Sequence, residues 1–238
     1  MKFVFAAIGL CLCLVGSGGF LFPVQTIDRL TARMTSRQVS QGKSVTLRGE
    51  LFYQRNGNML TRLTYPKELI ILANRLGETR VYDPGQNTVI LYQNPLFSTQ
   101  TTQLAVFLTG NATDMGLTHI GYVQKKTSYA KNLFVTDWAL KQPDKKALIQ
   151  RVRLVYSGSD PIYMHYTDGN DRILRKVFYA NYQTIGARRF PTSTTDIVYE
   201  KGDSSVTKTT YGDFRLNQQA QSPYFQYGIP ANAKIQRS

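Results

Sequence analysis

The chain holds two histidines, His119 and His165. His165 lies in "YMHYTD" with Asp168 nearby, and Ser157, Ser159 or Ser204 would complete a nucleophile–base–acid set of the kind that hydrolyses esters and amides. The spacing argues against it, because a nucleophile elbow needs a glycine two residues after the serine, and Pro161 stands there in "SGSDP". Metal chemistry has no better foundation: the histidines are far apart, no carboxylate cluster is present, and both cysteines, Cys11 and Cys13, sit near the N-terminus. "DGND" at 168–171 opens like a calcium loop but lacks the later glycine and glutamate, so it reads as a hairpin turn. No cofactor and no metal is expected. The lack of acid–base machinery moves the reading from catalysis to binding.

One cation has a more informative setting. In "GELFYQR", residues 49–55, apolar and polar side chains alternate as in a strand. Leu51, Tyr53 and Arg55 then share a face, and Glu50, Phe52 and Gln54 share the other. Arg55 is either a solvated strand end or a cation at the rim of an apolar cavity.

The elements that would position it are mostly strands. "NGN" at 56–58 turns "SVTLRGELFYQR" into "MLTRLTY", and "ELIILA", "TRVYDP" and "TVILYQN" extend a meander. Further alternating runs follow: "HIGYVQKK", "NLFVTDWAL", "ALIQRVRLVYS", "PIYMHYTD", "ILRKVFYANYQ", "TSTTDIVYEK" and "SSVTKTTYGDF". In the third of these, Leu148, Val152, Leu154 and Tyr156 share one face, while Arg151 and Arg153 share the other. Two helices are expected. Val24, Ile27, Leu30 and Met34 follow helical spacing, and Leu104, Phe107 and Leu108 lie between a cap at Ser98 or Thr99 and a stop at Gly110 and Asn111. The fold expected is mainly β: a strongly curved, incomplete antiparallel barrel of about ten or eleven strands, its apolar concave face covered by helices. Incomplete cover would leave an apolar cavity.

Residues 1–19 read as a secretory signal, with Lys2 followed by an apolar stretch and "GSGG". An uncleaved anchor over Phe3–Phe22 is the rival reading. Residues 20–43 are the N-terminal helix and lead-in, and 44–238 form the half-barrel with it. Cleavage removes both cysteines and Lys2, lowering the net charge from +14 to +13. For an exported basic chain, an anionic lipid surface is a better partner than nucleic acid.

The order of these pieces resembles the periplasmic lipoprotein carrier LolA and the wider outer-membrane lipoprotein-sorting family. The likeness rests on the Gly-led strand from Gly49 to Arg55, the returning "LTRLTYP", the hairpin ending in Tyr82-Asp83-Pro84, and the closing stretch from Phe225 to Pro230. It departs at Asn56, where the family has proline, and in the extra "GNM" that follows. The resemblance implies a cavity that takes up acyl chains. It makes Arg55 a latch tying a helical lid to the barrel, and Leu51, Tyr53, Ile71, Tyr82, Leu91, Leu104, Phe107 and Trp138 candidates for the lining. It further implies a monomeric periplasmic carrier, not an enzyme. Its cargo would be an acylated lipoprotein, received from an inner-membrane donor complex and passed to an outer-membrane acceptor with transient contact at the membrane surface. A carrier for another envelope lipid, such as a phospholipid, glycolipid or polyene lipid, is the alternative.

Overall fold

The computed structural model describes residues 26–93, 99, 103–110, 112–144, 146–200 and 202–237. The expected leader therefore lies outside the described residues, as do Ser98 and Asn111. The strands are β1 (Arg29–Ser40), β2 (Lys43–Gln54), β3 (Met59–Tyr65), β4 (Leu69–Ala73), β5 (Glu78–Asp83), β6 (Thr88–Gln93), β7 (Tyr122–Ala130), β8 (Leu133–Leu140), β9 (Arg151–Ser157), β10 (Asp160–Thr167), β11 (Ile173–Ile185), β12 (Arg188–Glu200), β13 (Asp203–Leu216) and β14 (Lys234–Arg237). Among the described residues, one α-helix, α1 (Gln103–Thr109), lies between β6 and β7.

All fourteen strands form one open sheet in the order β14-β6-β5-β4-β3-β2-β1-β13-β12-β11-β10-β9-β8-β7. The chain starts mid-sheet at β1 and winds outward to β6. It then crosses by way of α1 to the far edge at β7, and winds back until β13 pairs with β1. Every pairing is antiparallel except β14 on β6, which is parallel.

Two expectations are corrected. The first helix does not form: Arg29–Ser40 is a strand. Leu30, Ala32, Met34 and Ser36 also alternate, and their side chains turn to the buried face while Arg33, Thr35 and Arg37 are exposed. Thr31, Thr35 and Val39 are β-branched and suit a strand. The period of two, with bonding partners on both edges, wins over the period near 3.6. Among the described residues the expected pair of covering helices is therefore reduced to the seven-residue α1. The strand count was also low, partly because β1 was read as helix and the tail strand β14 as a Pro-bounded coil.

Alternation along β2 divides the sheet into two faces. On the inner face, Leu51 and Tyr53 join a core with Leu30, Leu154, Val177 and Phe190, all buried. Helix α1 packs into the same core. Its Phe107 ring meets Tyr179 at 5.4 Å and Phe190 at 5.9 Å, both edge-on, contacts worth about 0.5–1.5 kcal/mol each beyond their buried area. On the outer face, Phe52, Leu60, Ile70, Tyr82 and Val89 form a second core, covered by Tyr224, Phe225, Tyr227 and Ile229 of the tail. Two 3₁₀ turns, Asn217–Gln219 and Pro223–Gln226, start that tail. Gln54 Nε2 donates to the Phe225 carbonyl at 2.6 Å, fastening it to β2.

Gly49 shows why the Gly-led strand begins with glycine. The β2–β3 register shifts between Arg48 and Gly49, and a Cβ at Gly49 would stand 2.2 Å from the Arg62 carbonyl oxygen. That oxygen is backbone and has no rotamer by which to move away. Gly49→Ala is expected to lower unfolding stability by about 1–3 kcal/mol, read as a lower urea midpoint at unchanged m-value.

Candidate functional site

The expected lining residues separate by face. Leu51, Tyr53, Leu104, Phe107 and Trp138 meet in the inner core. Ile71 is on the same side, since Leu51 pairs with Thr61, Thr61 with Ile71, Ile71 with Val81 and Val81 with Ile90. Ile71, Val81 and Ile90 are only half-buried, so the inner face is less enclosed over β4–β6 than over β8–β13. Tyr82 belongs instead to the outer core beneath the tail. Leu91 shares that outer side, through Arg80, Leu72 and Leu60, and is 42% exposed. A one-residue change of parity decides the face, and spacing within "TVILYQN" did not reveal which residues the tail would cover.

Arg55 stands just past β2 at the start of the turn. Its guanidinium reaches Asp28 at 3.4 Å, both side chains being more than half exposed, and its N–H donates to the Asp28 carbonyl at 2.8 Å. Arg75 donates to the Arg55 carbonyl. Thr99, ahead of α1, bonds to this turn: its hydroxyl donates to the Gly57 carbonyl at 2.6 Å and its N–H donates to the Asn74 carbonyl at 3.0 Å. Arg55 still bears on the inner face electrostatically. Burial pushes the Tyr53 phenol up, and the charges of Arg75 and Arg55 oppose the shift. An ion pair this exposed contributes little, so Arg55→Leu is expected to change unfolding stability by less than about 1 kcal/mol in urea titrations.

A recess that the strand patterns did not announce lies at one end of the inner face. It has a volume of about 830 Å³ and is lined by Leu148, Ile149, Ile173, Leu174 and Val198, with Arg172, Arg175, Tyr199 and Glu200 beside them. Leu148 was expected to continue β9. The strand instead starts at Arg151, which leaves Leu148 70% exposed at the lip. Ile149 packs on the inner core, and its carbonyl accepts from the Tyr122 hydroxyl at 3.0 Å. Val198 faces Arg175 across β11–β12. The Arg175 guanidinium is held by Asp196, with Nε to Oδ1 at 2.9 Å, and lies 5.5 Å from the Tyr166 ring centre. The recess thus has mostly apolar walls, with Glu200, Asp203 and Ser204 at its edge and its two arginines ion-paired, Arg175 to Asp196 and Arg172 to Asp168. Its size falls within the range usual for small-molecule sites.

The inner face behind it is rich in tyrosine. Burial pushes Tyr166 up to about 12, with Arg175 pulling the other way. Burial likewise raises Tyr156 and Tyr211 to about 12, and Tyr179 well above the usual phenol range. The Tyr156 hydroxyl donates to the Thr113 carbonyl at 2.6 Å, linking β9 to the loop after α1.

The histidine and serine candidates do not converge. His165 points to the outer side between Arg153 and Lys176 of the flanking strands. Its imidazole is held below the usual range by burial first, then by the charge of Arg153. Asp168 takes part in the hairpin turn, accepting from the N–H groups of Asn170 and Arg172 at 2.9 Å each.

The sequence matches no protein-family model and no curated protein. Solved structures do match. A DUF1329 family protein from Desulfovibrio piger aligns with a TM-score of 0.60 at 15% identity, over 85% of this chain and 91% of that one. A LolA superfamily protein from Nitrosomonas europaea aligns at 0.55 and 16% identity, over 85% of this chain and 93% of that one. A Vibrio parahaemolyticus domain described as an outer-membrane lipoprotein-sorting protein aligns at 0.57 and 14%, over 83% of this chain and 88% of that one. The fold is LolA-like.

The raised tyrosines make an alkaline test of the inner face. A phenol whose pKa is higher folded than unfolded stabilises the fold fully below its unfolded value near 10. That contribution is lost as pH rises through the folded value of about 12 for Tyr156, Tyr166 and Tyr211. Absorbance titration is expected to show the phenols of Tyr156, Tyr166 and Tyr211 ionising late, near pH 12. Urea stability is expected to fall across the same interval.

Proposed function

We propose that the chain is an envelope lipid-binding carrier. It takes up the acyl chains of a lipoprotein at the apolar inner face and moves them from inner to outer membrane without covalent chemistry. What supports this most directly is the recess of about 830 Å³ whose apolar wall, from Leu148 to Val198, runs into the inner core. Burying each methylene there would contribute roughly 0.8 kcal/mol, so even part of an acyl chain outweighs the few hydrogen bonds that hold the loop after α1. Two of the similar structures are described as a LolA superfamily protein and an outer-membrane lipoprotein-sorting domain, which favours the same reading. In it the protein works as a monomer in the periplasm. It collects cargo from a donor at the inner membrane and yields it to an acceptor at the outer membrane.

A second reading keeps the site and changes the cargo to a phospholipid or another envelope lipid. The net charge of +14 favours it, since anionic lipid is the better electrostatic match.

Displacement of a fluorescent acyl probe tests both. Binding is expected for the wild type and at least about tenfold weaker in a Leu148→Asp, Val198→Asp double variant, because ionised carboxylates oppose desolvation by the chain. Displacement by a triacylated peptide supports the lipoprotein reading, and displacement by phospholipid alone supports the second. Absence of probe binding by the folded wild type would sink both.

A further inference from the structure

The outer side of β7–β13 and β1 meets the proposed lipid site at Tyr199, and its composition is unlike an ordinary solvated face. Register places two neighbouring rows of side chains on this face, one of them across eight strands. In the first, Arg37 on β1 pairs with Lys208 on β13; Thr195 and then Phe178 and Tyr163 follow on β12, β11 and β10. In the second, Val39, Val206 and Ile197 lead to Lys176, His165, Arg153, Asp137 and Lys126. Asp137 is the one carboxylate in either row, and it is spent on Arg153, with Arg153 Nε at 2.6 Å. Arg37 and Lys208 stand directly opposite each other with like charge, an arrangement that costs stability in a sheet unless an anion lies between them.

Among these cations lie apolar groups in the open. Phe178 is 41% exposed and Val39 40%. Phe178 packs against Tyr163 with ring centres 4.9 Å apart and planes tilted by 48°, which holds the ring on the sheet surface. Lys176 lies 5.4 Å from the Tyr199 ring, presenting its ammonium beside another exposed aromatic. His165 sits in the same rows with its Nδ1 unpartnered, and burial together with Arg153 disfavours its charged form. The cations are too many for the local acids, and the aromatics are fixed at their level.

We propose that this outer face docks the protein on an anionic phospholipid bilayer. Arg37, Lys176 and Lys208 face the headgroups, and Phe178 enters the interfacial layer. A bilayer fits better than a discrete ligand because the rows are broad and lack a concave centre. The two kinds of group also match the two layers a headgroup surface presents, charge outside and apolar material beneath. The two sites meet only at Tyr199, and none of Arg37, Lys176, Phe178 and Lys208 lines the recess.

The test is co-sedimentation of the purified protein with phosphatidylcholine vesicles, with and without phosphatidylglycerol. Binding is expected only with the anionic lipid and is expected to weaken as salt rises toward a Debye length shorter than the charge spacing. Lys176→Glu and Lys208→Glu are each expected to lower partitioning about fivefold or more. Phe178→Ser is expected to lower it while leaving the salt dependence intact. Each variant is checked by circular dichroism and by acyl-probe binding, neither of which should change. The proposal is overturned by equal binding to neutral vesicles, by anionic-vesicle binding that the charge reversals leave intact, or by no vesicle binding. Tighter binding to heparin or single-stranded DNA than to anionic vesicles, lost in the same variants, would also overturn it and assign the face to a soluble polyanion.

Discussion

Strand β1 is hydrogen-bonded along both edges, to β2 over its whole length and to β13 from Leu30 to Ser40. Each half of the molecule is a meander that leaves one long strand unsatisfied on its inner side, β2 in one and β13 in the other. Both are completed by the same twelve residues. Because unpaired backbone groups in a buried sheet are costly, β1 fixes the relative position of the two halves. Asn217 secures the start of the strand: its side chain accepts from the Asp28 N–H at 2.9 Å and donates to the Thr26 carbonyl at 2.8 Å. Leu30 and Ala32, on the inner side of β1, lie at the centre of the core that α1 packs into.

That arrangement explains how one sheet does two unlike jobs. Its inner side is a packed core over β8–β13 and a half-covered apolar surface over β4–β6. Its outer side is a tail-covered core at one end and a basic, aromatic surface at the other. No linker is needed, because alternation assigns successive residues of a strand to opposite duties. In β2 alone, Leu51 and Tyr53 serve the inner core and Phe52 the outer one.

The repeated hairpins were legible because turn residues and alternating runs are local signals. Met59–Tyr65 as the return from "NGN" and the strand through "NLFVTDWAL" lie where the pattern put them. Strand β1 was not legible, because its apolar residues satisfy two periods at once and only long-range pairing with β13 decides between them. The recess was hidden for a related reason: Leu148 fits the alternation of β9 but lies ahead of it. The split of Tyr82 and Leu91 from Leu51 could not be read without knowing that residues 223–233 return across the outer face. Arg55 lies in the turn just past β2, and its ion-pair partner, Asp28, comes from a segment whose spacing reads as helix.

An open sheet of fourteen strands has two terminal strands, and each is a potential template for another chain. At one end the molecule's own tail occupies β6 in parallel, leaving an outermost strand of only four residues. At the other, β7 carries Lys125 and Lys126 where its register with β8 slips. One terminal strand is short, and the other carries charge at a register shift. Both terminal strands therefore carry features that disfavour edge-to-edge pairing, and the open sheet remains a finite object.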